Sequence, residues 1–292
     1  MVPMAPRTES PWARFRAEFA ESRLAMAGLA LLVVILALGI LAPVISPQNP
    51  YDLAQLDVMD SRLAPGEKSA DGRTYWLGTD DQGRDMLSGI FYGLRISLGV
   101  GVASTVFALA IGLVFGLVAA YFGGWVDTLI MRVVDIQLSF PAILIALILL
   151  AVLGQGVDKI VIALVTVQWA YYARTVRSSA LVERQKEYVE AARVLALGQA
   201  RIVFRHLLPN CLPPLIVVAT VQVAHAIALE ATLSFLGLGL PITEPSLGLL
   251  ISNGFQYLLS GKYWISFYPG VALLLTIMAI NLVADQLRDI LN

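Results

Sequence analysis

A chain of 292 residues with 58% hydrophobic and only 14% charged residues cannot hide so much apolar surface in a water-soluble core, where charged residues run at about 25%. Its formal net charge of −1 implies no general affinity for nucleic acid. One cysteine, Cys211, and two histidines, His206 and His225, exclude an intrachain disulfide and leave little for a metal site.

Lipid must therefore cover the surplus apolar surface, and the chain reads as an all-α membrane protein of several spans. Residues 1–23 set Trp12, Phe15 and Phe19 among Arg7, Arg14, Arg16 and Arg23, a pattern that predicts an amphipathic helix on the inner membrane surface. A spanning helix needs about 20 mostly apolar residues, and the first such run is 24–46. It is longer than the apolar region of a signal peptide and lacks a small-x-small cleavage site, so an uncleaved anchor is expected. Residues 47–95 form a loop rich in Pro, Gly and Asp. Within it Asp80, Asp81 and Asp85 cluster around Arg84, but their spacing is not that of a calcium loop, and an internal salt-bridged turn without metal is expected.

Further apolar runs at 96–121, 137–153, 158–175, 213–236 and 267–285 bring the expected count to six transmembrane helices. They define a core of 96–285 followed by a tail at 286–292, with only Gly154–Asp158 separating the third run from the fourth. Ala108, Gly112, Gly116 and Ala120 recur at intervals of four in the second run, a small-residue seam for close helix contact. That contact lies either inside this chain or against a partner subunit.

Orientation follows from Lys and Arg near the span ends. The basic cluster Arg174, Arg177, Arg184, Lys186, Arg193, Arg201 and Arg205 falls on the same side as the N-terminal arginines. The opposite positions are concentrated in one long, acidic loop. Both termini are thus expected in the cytoplasm, with 176–212 as a cytoplasmic loop and 237–266 on the outside. In that cytoplasmic loop Tyr188, Ala191, Ala192 and Leu195 fall at three- and four-residue intervals, an apolar stripe on a short helix. Glu187 and Glu190 near its start complement the helix dipole. On the fifth run Gln222 and His225 share a face, with Glu230 nearer the outer end. Polar groups at that depth are costly, so the pair either lines a path through the membrane or hydrogen-bonds a neighbouring helix.

Four ordered segments carry a family resemblance. They are Leu77-Gly78-Thr79-Asp80 with Gly83-Arg84-Asp85 and Ser88; Glu190-Ala191-Ala192 through Leu208-Pro209; Glu230 to Gly239 (EATLSFLGLG) with Pro245-Ser246-Leu247-Gly248; and Asn281-Leu282 with Asp285 to Asp289. Together they resemble the permease subunits of dipeptide/oligopeptide-type ATP-binding-cassette (ABC) importers, in particular the subunit with a long external loop after span one. Three positions depart from the usual pattern: Tyr75 stands where histidine is common, Leu247 where tryptophan is common, and Ala196 where a glycine is usual, with Gly198 two residues later. The turn after the short helix is therefore expected to be shifted or tightened.

The resemblance implies a type I importer permease fold in a bacterial inner membrane, paired with a homologous second permease. It implies two P-loop ATPases docked on Glu187, Glu190, Ala191, Ala192, Leu195 and Gly198, and an external solute-binding protein that delivers substrate. No GxxxxGK[ST] occurs in the chain, so ATP and magnesium would be bound by those partners, and neither a cofactor nor a catalytic residue is expected here. Closure of the ATPases would push on residues 187–197 and rock spans three to five together. Relatives of this type carry peptides, nickel complexes, glutathione, opines or oligosaccharides, with peptides the commonest. The rival class, a self-contained secondary transporter, would show ionisable residues in several spans and an inverted repeat; the mid-membrane set is sparse and no repeat is visible.

Overall fold

Helices account for the architecture of the computed structural model, which describes residues 11–52, 55–69 and 71–291. Arg7, with the rest of 1–10, and Asn292 of the tail lie outside the described residues. Among those described there is no strand, only two isolated bridges, Lys68 with Thr74 and Thr79 with Asp85.

Helix α1 (Pro11–Glu21) and α2 (Arg23–Ile45) meet at Ser22, whose Oγ accepts from the Ala25 N–H and caps α2. On α1, Phe19 packs on Ala25 and Val283, Glu18 offers its carbonyl to Gln286 Nε2 at 3.1 Å, and Trp12 is left exposed. Helix α3 (Met86–Phe122) begins well before the expected 96, because Asp85 caps it by accepting from the Ser88 N–H at 2.8 Å. At 37 residues it is about 55 Å long. Gly123 and Gly124, both at positive φ, reverse the chain into α4 (Gly124–Ser139).

The third expected run is not one straight helix. It is divided between α4 and α5 (Ala142–Leu153), which meet at about 90°. The break is at Phe140, held extended ahead of Pro141, since a residue before proline is crowded out of the α region. Helix α6 (Val157–Glu183) then runs past the expected end of its span. The loop expected at 176–212 therefore shrinks to α7 (Glu187–Val194), a turn, the short α8 (Gln199–Arg201) and a π-helical segment at Ile202–Leu207 that leads into α9 (Leu208–Phe235). Pro209 supplies the cause of the π segment: it has no N–H for the Arg205 carbonyl and its ring crowds that carbonyl, so the backbone widens. Helices α10 (Leu247–Phe255) and α11 (Trp264–Leu291) complete the fold.

Among the described residues four helical segments are long and apolar enough to cross a membrane: α2, α3, Ile202–Phe235 and α11, or five if α4 and α5 together make one span. Helix α6 is long enough at 27 residues but carries Asp158, Lys159, Arg174 and Arg177. Both arginines are paired with acids of α4. Arg177 forms a two-pronged pair with Asp127 of α4 at 2.5 and 2.6 Å, and Arg174 reaches Asp135 at 2.5 Å.

The small-residue seam is internal. Ala108, Gly112, Gly116 and Ala120 face α6. A Cβ on Gly112 would lie 2.6 Å from the Trp169 carbonyl, and one on Gly116 would lie 2.7 Å from that of Ala173. Backbone meets backbone there, and neither side can yield.

Gly112→Val should destabilise the protein by about 1–3 kcal/mol through overpacking, read as a lower thermal midpoint of the detergent-solubilised chain. Gly99→Val, at an α3 glycine with nothing within 4 Å, is the control. Equal midpoints for the two variants would mean that the seam is not this contact.

Candidate functional site

Helix α7 stands on a small apolar floor. Val189 and Ala192 are buried against Ile202 and Leu207, with Leu197 and Val203 alongside. A single turn of spacing separates those two residues, so the helix rests on one edge and leaves the rest uncovered. Glu187, Tyr188, Glu190, Ala191, Val194 and Leu195 are all exposed, Leu195 at 72% and Val194 at 85%. Of the expected stripe, then, Tyr188, Ala191 and Leu195 lie on the outer face, whereas Ala192 faces inward at 4% exposure. Glu187 and Glu190 occupy the first turn, where Lys186 contributes no side-chain cap, and their charge complements the open N–H groups.

The turn that follows is not shifted to Gly198: it closes at Ala196. The Leu197 N–H bonds to the Ala192 carbonyl at 3.1 Å and the Ala196 N–H to that of Arg193 at 2.9 Å. This is the paired closure of a helix end in which the residue between needs a left-handed backbone. Ala196 supplies it at φ +51, at the position where the resemblance leads one to expect glycine. Gly198 has an ordinary φ of −58 and no crowded neighbour, so the chain does not use its freedom.

The second feature is an open cavity of about 720 Å³ between α6 and α9, continued by Arg288 of α11. From α9 it is lined by Pro214, Val218, Val221, Gln222, His225, Leu229 and Thr232, a stripe about 27 Å long at helical spacing. Gln222 and His225 are brought together on it, His225 exposed and Gln222 nearly buried. The contact to the neighbouring helix goes through backbone: Gln168 Nε2 of α6 donates to the Gln222 carbonyl at 3.2 Å. Glu230 is not part of this wall. It is fully buried and accepts from Ser97 Oγ and Ser234 Oγ, each at 2.8 Å, joining α3 to α9. Gln168, Tyr171 and Arg288 also line the cavity. Gln168 could have been found by the same rule that singled out Gln222, since it too is a polar residue in mid-run.

At the opposite end from α7, the 46–85 segment is knotted to the helix ends. The Asp85 N–H donates to Gln48 Oε1 at 2.6 Å, the Gln48 N–H to Ser88 Oγ at 3.1 Å, and Trp264 Nε1 to the Thr79 carbonyl at 3.2 Å. The expected salt-bridged turn is held differently. Asp80 Oδ1 accepts the N–H groups of Gln82 and Arg84 at 2.8 and 2.9 Å, and the Arg84 guanidinium reaches Gln82 and the Ile242 carbonyl, the latter at 3.0 Å. Burial pushes Asp80 up to about 6. Tyr75 donates to Asp60 Oδ2 at 2.8 Å, and burial together with that carboxylate pushes the phenol up to about 12.

The model of the family described as binding-protein-dependent transport system inner membrane component matches residues 112–292, and that of the N-terminal TM domain of oligopeptide transport permease C matches 10–65. The chain is 36% identical to the di/tripeptide transport system permease protein DppC of Pseudomonas aeruginosa, over 97% of this chain and 92% of that protein. It is 35% identical to the dipeptide transport system permease protein DppC of Alkalihalophilus pseudofirmus, over 97% and 90%. Among solved structures, a chain of the MetNI methionine ABC transporter in an inward-facing conformation superposes with a TM-score of 0.57 at 23% identity, covering 70% of this chain and 97% of that one. That likeness concerns the fold.

Ala196→Gly should stabilise the end of α7 by about 0.5–1 kcal/mol, the relief of a left-handed alanine less the entropy glycine adds to the open chain. Amide exchange across 187–194 should slow by about threefold. Faster exchange in Ala196→Gly would show that the turn does not depend on that backbone conformation.

Proposed function

The chain belongs to the family of binding-protein-dependent transport system inner membrane components, and from that membership we propose that it is the permease subunit of an ABC importer that carries di- or oligopeptides across a bacterial inner membrane. Its work is to change shape around a passing solute, while ATP hydrolysis belongs to separate P-loop subunits. A homologous second permease completes the pore, two ATPases dock beneath, and an external solute-binding protein delivers cargo. Lipid surrounds the remainder. The peptide assignment draws on the printed names of the relatives, dipeptide and di/tripeptide permeases among them.

In this reading the spans are α2, α3, the bent α4–α5 pair, α6, α9 and α11, with both termini in the cytoplasm. Helix α6 serves as a span although it is not apolar all round, because α3 and α9 flank it and its arginines pair with α4. Gln222 and His225 line the translocation path, offering hydrogen bonds along a largely apolar wall.

One observation carries the proposal: a helix of eight residues is held out from the bundle with Glu187, Glu190, Ala191 and Leu195 uncovered. Uncovered aliphatics beside small residues and two carboxylates suit a protein partner. Affinity purification from native membranes should bring down a second permease and P-loop ATPases. Glu190→Lys should cut the ATPase recovered by about tenfold, the size of one lost charged contact. A chain that purifies alone and still transports would sink the importer reading. For the path, Gln222→Ala with His225→Leu should lower uptake of a labelled dipeptide by the intact complex. If that double variant instead fails to assemble, the pair is packing and not path.

A further inference from the structure

Helix α7 is poorly suited to transmit force through its own chain connections. It joins α6 through three residues, Arg184 to Lys186, and joins α9 through the Ala196 turn, the short α8 and the π segment. Its floor is only two buried side chains, Val189 and Ala192. A displacement of α7 could be absorbed in either connection unless something bridges them.

One side chain does. The Tyr188 hydroxyl donates to Glu183 Oε2 at 2.5 Å and accepts from Asn210 Nδ2 at 3.0 Å. Glu183 is the last residue of α6, and Asn210 lies in the first turn of α9. Both of the anchoring groups are themselves fixed. Lys186 Nζ pairs with the other carboxylate oxygen of Glu183 at 2.6 Å, and Asn210 Nδ2 also donates to the His206 carbonyl at 2.7 Å, inside the π segment. We propose that Tyr188, with Glu183 and Asn210, is the joint through which movement of α7 reaches α6 and α9 together, Tyr188 acting as a positioning residue for transport. This rests on α7 being the surface that an ATPase engages.

The geometry explains why a tyrosine serves at a position otherwise part of an apolar stripe. A phenol is long and stiff, and its oxygen both donates and accepts. The two helices it ties are the two that wall the cavity, so one pull acts on both walls. Burial and the Glu183 carboxylate push the phenol up to about 12, which keeps it a protonated donor throughout the physiological range.

Tyr188→Phe keeps the ring on the outer face and removes only the joint. The test uses the whole complex, with its second permease, ATPases and binding protein, in proteoliposomes. Two quantities are read: ATPase bound per permease, and labelled dipeptide taken up per ATP hydrolysed. Uptake per ATP should fall by about fivefold in Tyr188→Phe, the range of one hydrogen bond. Asn210→Asp, which cannot donate to the phenol, should reproduce that loss from the other side of the bond. Glu183→Gln, which retains an oxygen to accept the phenol proton, should restore most of the ratio that Glu183→Leu loses. Bound ATPase with an unaltered ratio in both Tyr188→Phe and Asn210→Asp overturns the joint alone. A wild-type complex that holds no ATPase removes the premise, and the joint with it.

Discussion

The rest of the molecule is mounted on the contact between α3 and α6. Glycine at 112 and 116 lets the two backbones touch, with the carbonyls of Trp169 and Ala173 seated where side chains would otherwise be. In hydrocarbon there is no hydrophobic gain from pressing two helices together, so close dispersion contact must supply the attraction. Once α6 is fixed there, its buried face presents Gln168 to the cavity and its end presents Glu183 to α7. Arg184 then closes the arrangement by donating to the carbonyls of Ala120 and Tyr121 at the end of α3, where cationic donors meet the negative pole of a helix.

Polar chemistry in this chain is sorted by its place in the fold. Between helices, acids are matched to hydroxyls, as Glu230 is to Ser97 and Ser234, or to a planar guanidinium, as Asp127 is to Arg177. Where the chain leaves the bundle, carboxylates instead accept backbone N–H groups and close turns, as Asp80 and Asp85 do. His225 and Gln222 bring polar side chains onto the α9 cavity wall at mid-helix, and Thr232 does so near its end.

How much of this could be read from the residues depends on the range of the forces involved. Apolar runs announced most helices, since burial in lipid acts on every residue of a span. The cluster of Gln222 and His225 was legible for the same reason, through the cost of polarity at depth. The early start of α3 at Met86 was missed because its signal is one cap, Asp85, hidden in an acidic loop. Arg174 and Arg177 of α6 pair with acids of α4, which no one-dimensional pattern shows. Ala196 departs from the usual glycine, yet the closing hydrogen bonds of α7 impose the left-handed backbone whichever residue stands there. Tyr188 was read by its ring and not by its hydroxyl, because both of its partners, Glu183 and Asn210, come from other helices.

The knot at the far end has a mechanical meaning. Gln48 after α2, Asp85 and Ser88 at the head of α3, Ile242 between α9 and α10, and Trp264 at the head of α11 are all fastened to one another or to the segment between them. Helices fastened together at one end share a common fulcrum there. Over the length of α3, a swing of about 5° at that fulcrum becomes a travel of about 5 Å at the opposite tip. Displacements too small to disturb the knot are thereby magnified where α7 is attached.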